Sequence, residues 1–184
     1  MRKAFTFAMV VGAALLVRTA LVQAADDKRP ATAQALRGRE LFLRSPKGTA
    51  CATCHTMDGV GTSVGPDLTR MASIATAHSM VATIKMTMTN EVQLVKTADG
   101  KFPGILKQKQ GDNFEIWDLS KLPPVLRKMT SKEITSMERD IVWRHPPALA
   151  DYNAQELADI IGFLRWASTG SQKEIKAAEV DDSQ

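Results

Sequence analysis

Only two cysteines occur among the 184 residues, Cys51 and Cys54. So small a supply excludes a disulfide framework and, within one chain, a four-thiolate zinc or iron–sulfur site. Histidine is nearly as scarce: besides His55 there are only His78 and His145, thin resources for acid–base catalysis. After the first two dozen residues no apolar run reaches the ~20 residues that a spanning helix needs. The glycine-rich stretch 58–65 is followed by Pro66-Asp67-Leu68, not by Lys-Ser/Thr, and no strand precedes it, which argues against a phosphate-binding loop.

Residues 1–24 have the layout of a secretory signal. Arg2 and Lys3 open it, an apolar run follows from 4 to 17, and Val22-Gln23-Ala24 offers a small-residue cut before Ala25. An uncleaved anchor is the alternative, but the apolar run is short and Arg18 ends it. Cleavage removes Arg2, Lys3 and Arg18, so 24 basic residues become 21 against 20 acidic ones and the net charge falls to about +1. The basic balance of the whole chain therefore gives no reason to expect a nucleic-acid partner. A soluble periplasmic or secreted protein, with no membrane span after cleavage, is the expectation.

What the chain does possess is Cys51-Ala52-Thr53-Cys54-His55. In C-x-x-C-H each thiolate can add across a porphyrin vinyl group and the adjoining imidazole can ligate the iron, so the motif predicts one covalent haem c with His55 as a ligand. Cysteines at i and i+3 share one side of a helical turn, which suits two bonds to one ring. A thioredoxin-like C-x-x-C is the competing reading, yet that motif needs no trailing histidine and follows a strand in a βαβ pattern.

The chain length suits a single domain, expected over 25–170. Spacing of apolar residues predicts a helix over 31–43, in which Gly38 would permit a close helix crossing. A second helix is predicted over 71–85, with Ile74, His78, Val81 and Ile84 on its apolar face and His78 a core histidine. Asp99-Gly100 and Gly111-Asp112 between apolar runs predict a small antiparallel β unit over about 91–130. Thr130-Ser131-Lys132-Glu133 reads as a capping box for a short helix or turn near 134–138. Asn153-Ala154-Gln155-Glu156 caps a closing amphipathic helix. Residues 171–184 read as a flexible tail. The fold class expected is mainly α, a helical haem domain with an inserted β unit.

A Gly-x-x-Leu-Phe helix, C-x-x-C-H, a glycine-rich loop into Gly65-Pro66-Asp67-Leu68 and a closing helix together resemble the class I type cytochromes c. The β unit, with Asp99-Gly100-Lys101 and Gly104, is similar to a branch named for its haem-binding domain. The resemblance implies that the Pro66 carbonyl orients His55 and that Leu68 packs in the cofactor pocket. The family's distal methionine before proline has no counterpart here; His145-Pro146 stands in its loop, so His145 is the expected sixth ligand, with Met129 or Met137 the rival. It implies an electron carrier and not an enzyme, exchanging electrons with a redox partner such as a periplasmic dehydrogenase. A five-coordinate haem enzyme, such as a small peroxidase, and a haem-based ligand sensor are the alternatives. The β unit is expected to serve docking more than iron chemistry.

Overall fold

The computed structural model describes residues 30–86, 89, 91–146 and 151–181. The leader and the cut expected after Ala24 lie outside them. Helix α1 (Ala33–Leu43) starts where the Thr32 hydroxyl accepts from the Ala35 amide at 3.0 Å, which satisfies one of the amides a helix start leaves unpaired. Helix α4 (Ala154–Thr169) begins with the expected capping box of Asn153 and Glu156 and ends at Gly170, whose φ of 67° fits a left-handed cap.

These two helices cross at glycines. A Cβ on Gly38 would sit 1.9 Å from the Asp159 carbonyl oxygen and 2.8 Å from Phe163 Cβ, and one on Gly162 would sit 2.6 Å from the Gln34 amide oxygen. Backbone therefore touches backbone, and Phe42 meets Phe163 with ring centroids 5.4 Å apart. Arg37 donates to both carboxylate oxygens of buried Asp159 at 2.7 and 2.9 Å. Burial opposes the charge on Asp159, but the Arg37 and Gln155 hydrogen bonds hold its carboxyl below the usual range. We expect Gly38→Ala to destabilise the fold by about 2 kcal/mol, because overpacking at the crossing exceeds the ~1 kcal/mol that alanine gains over glycine in a helix. Urea unfolding measures this, and a stabilised variant would show that the helices can part freely.

The helix expected over 71–85 is two. Helix α2 (Thr69–Ile74) ends as Ala75 turns extended, and α3 (Ala77–Lys85) restarts where the Thr76 hydroxyl accepts from the Ser79 amide. The threonine competes for the chain by offering a new cap. The apolar spacing straddled this break: Met80 and Val81 are buried, whereas Ile74 and His78 are exposed, so His78 is not a core histidine.

Two short strands, β1 (Thr56–Met57) and β2 (Val60–Gly61), form a hairpin beside the cysteine motif. The remaining strands are β3 (Gln93–Thr97), β4 (Gly100–Gln110), β5 (Asn113–Asp118), β6 (Val125–Thr130) and β7 (Ile134–Arg139). They form one antiparallel sheet in the order β6-β5-β4-β3-β7. Of the helix or turn that the Thr-x-x-Glu pattern allowed, the structure has the turn. Glu133 accepts from the Thr130 amide and hydroxyl, both at 2.7 Å, and closes a turn into β7.

That turn curls the sheet. The edges of a flat five-stranded sheet lie ~19 Å apart, but the chain from Thr130 to Ile134 spans at most ~14 Å. The sheet thus wraps around a small core of its own, Val95, Phe102 and Ile116, with Met129, Ile134 and Met137 packed against it. Gly104 is required inside, since its Cβ would meet Ile116 at 2.8 Å.

Among the described residues there are four α-helices and a five-stranded sheet, so the architecture is mixed and the expected mainly α class is wrong. The correction follows from β7 and from a sheet that runs to Arg139 around its own core. The tail, too, differs from expectation as far as residue 181. Gln34 exchanges hydrogen bonds with the Ile175 backbone at 2.8 and 2.9 Å, and Ile175 and Val180 are buried in the helical core.

Candidate haem site

Cys51–Thr53 form a single 3-10 turn after α1, and the amides of Cys54 and His55 donate to the Cys51 carbonyl at 3.1 and 2.9 Å. This tight turn puts both thiols, neither in a disulfide, on the wall of one cavity. Burial pushes the Cys51 thiol up to about 11 and raises Cys54 as well, so both are neutral thiols at neutral pH.

The glycine-rich loop folds back over the turn. The Val64 and Gly65 amides donate to the Cys54 carbonyl at 3.0 and 2.7 Å, and the Thr62 amide donates to the Ala52 carbonyl at 2.9 Å. The glycines serve the histidine more than a flat cofactor. A Cβ on Gly65 would lie 2.7 Å from His55 Cε1, and one on Gly61, whose φ is +107°, would lie 2.1 Å from the His55 carbonyl oxygen.

His55 Nδ1 lies 2.8 Å from the Pro66 carbonyl oxygen. A carbonyl can only accept, so Nδ1 is the donor, and in the neutral ring this leaves Nε2 as the nitrogen that could ligate a metal. Asp67 braces the loop: it accepts from the Thr56 hydroxyl at 2.6 Å and from the Thr69 amide at 2.8 Å. These bonds hold its carboxyl below the usual range, the Thr56 bond most of all. Leu68 donates its amide to the Thr56 carbonyl and turns its side chain to the cavity.

The cavity encloses about 370 Å³, within the size range of ligand sites. Phe42, Ile160 and Leu164 wall it from the helical core, and Ile105, Leu119 and Leu122 wall it from the sheet. Sequence reasoning missed these last three, having set the β unit aside for docking; their only signal was apolar character in and just after strands. His145 reaches the same cavity, its ring centroid 5.9 Å from that of His55 with the rings inclined at 44°. Burial pushes His145 below its ordinary value, and the neighbouring His55 adds to the effect. The neutral imidazole thus favoured is the form that ligates a metal.

The rival methionines are elsewhere. Met129 and Met137 pack on the sheet's core. Met71 and Met86 do line the cavity, and Met88 lies outside the described residues. Trp143 stands edge-on to His145, centroids 6.3 Å apart at 88°.

Residues 35–122 match the family model for Cytochrome c. The match supports a cytochrome c-type protein, which implies covalently bound haem c and suggests haem-based electron transfer. The matched stretch holds the C-x-x-C-H motif and three strands of the sheet, and ends before His145. No curated protein matches the chain. The residues present fit such a group. Two free thiols and an imidazole with an available nitrogen share one apolar cavity, and a second imidazole faces the first. With ring centroids 5.9 Å apart, His55 and His145 are close enough that both could ligate one metal ion.

Proposed function

We propose that this protein is an exported one-electron carrier with one haem c, which Cys51 and Cys54 would hold covalently and His55 and His145 would ligate. The observation that carries the reading is the facing pair of imidazoles, 5.9 Å apart in one apolar cavity. When bound, the haem supplies a one-electron couple at its iron. The chain's own residues do the rest. Pro66 fixes the tautomer and plane of His55, the two thioethers prevent loss of the group, and the apolar walls, Leu68 among them, limit water around it. His145 fills the position that a peroxidase or a ligand sensor would leave open. Electron transfer then needs no substrate at the iron, which is why a carrier is preferred to an enzyme.

The leader supports export, and no helix among the described residues is long and apolar enough to cross a membrane. A redox protein such as a periplasmic dehydrogenase is the natural partner for such a carrier. Potentiometric titration of the purified protein should show one reversible single-electron wave, and the reduced protein should refuse carbon monoxide. Rapid binding of carbon monoxide, or turnover of peroxide, would replace the carrier with one of the open-site readings.

A further inference from the structure

The segment between β7 and His145 has little burial to hold it. Ile141 and Val142, its two large aliphatic side chains, are 68% and 79% exposed. What holds it is polar. The Asp140 amide donates to the carbonyl of Val92 at 2.9 Å, adding a rung to the β3–β7 ladder, and Val92 is itself on the cavity wall. Asp140 Oδ1 then accepts from the amides of Val142 and Trp143, each at 2.9 Å. From the other side Arg144 Nη1 donates to the carbonyls of Ile141, Val142 and Trp143 at 2.7, 3.0 and 2.9 Å. Two side chains thus satisfy two amides and all three carbonyls of residues 141–143, a turn in which only Trp143 is half-buried. The residue after Arg144 is His145.

We infer that Asp140 and Arg144 are positioning residues for the distal imidazole. They form a clamp that anchors the loop to the sheet and keeps His145 presented across the cavity from His55. This rests on His145 being the distal ligand. In the loaded protein the clamp acts by limiting how often His145 swings away. Asp140→Ala removes both amide contacts, whereas Asp140→Asn keeps an Oδ1 that accepts them.

The test is the rate at which carbon monoxide enters the reduced, haem-loaded protein, with His145→Ala as the fully open reference. Asp140→Ala should bind about tenfold faster than wild type or more, with unchanged haem content, and Asp140→Asn should stay within about twofold of wild type. Arg144→Gln should also accelerate binding and serves if Asp140→Ala does not accumulate. Wild-type rates in Asp140→Ala or Arg144→Gln, beside a fast His145→Ala, overturn the clamp and leave the distal ligand standing. Equal opening by Asp140→Asn and Asp140→Ala also overturns it, since the amide bonds would then not be the agent. An inert His145→Ala removes the ligand and the clamp together.

Discussion

Cys51→Ala/Cys54→Ala protein should lose all of its haem to acid–acetone, while wild-type protein should retain all of it. The wild-type mass should equal the chain from Ala25 plus one haem, which tests the single attachment and the cut together. The effect is large because the cavity offers so little else. Among the described residues no lysine or arginine lines it, and its only carboxylates are Asp67 and Glu91, so the two propionates of a haem find no cation there. Non-covalent retention would rest on apolar contact and two imidazoles. Each single substitution should keep one thioether and resist extraction, although His55 would be less firmly aligned. Free extraction of haem from the wild type would overturn the central assignment.

The turn at Cys51–His55 and its contact with Pro66 were legible because their hydrogen bonds are local. C-x-x-C-H and Gly-Pro eleven residues on lie within one loop, and the hydrogen bonds that join them span short sequence separations. The position of His145 depends on the sheet, and there local pattern left helix and turn open. Thr130-x-x-Glu133 satisfies the same hydrogen bonds at a helix start and at a tight turn. What decides between them is the neighbour: β3 has a free edge, and Leu94, Val95 and Lys96 pair with Glu138, Met137 and Ser136. No local signal announces a pairing across forty residues.

The pairing of β7 with β3 also explains why a β unit expected beside the cavity helps to wall it. Because β7 lies against β3, the chain leaves the sheet at Asp140 next to Val92, already at the cavity. His145 is then five residues from a fixed rung, however far it lies from His55 in sequence. The helical pair was easier to read. Gly38 forecast a close crossing and α4 provides it, but the tail was judged by its polarity alone. Ile175 and Val180 are isolated apolar residues, and what pins the first is Gln34, 141 residues away.

The distal position gives the second large effect. His145→Ala should turn a reduced protein that excludes carbon monoxide into one that binds it to saturation, with loss of the six-coordinate spectrum. His145→Met should instead keep six ligands where the thioether reaches the iron, and raise the potential by on the order of 100 mV. For a one-electron couple that shift is roughly fiftyfold in favour of the reduced form. The signs follow from the ligands: imidazole donates more strongly and favours the oxidised iron, while thioether sulfur favours the reduced one. The rival arrangement uses a methionine in the wild type. Met129 and Met137 would have to leave the sheet's core to serve, which costs apolar burial, whereas Met71 and Met86 already border the cavity. A methionine-ligated wild type would have a high potential and a sulfur-to-iron band near the red edge of its oxidised spectrum. It would also be indifferent to His145→Ala. Substituting Met71 and Met86 in turn would then identify the ligand, and His145 would be left as a wall of the pocket.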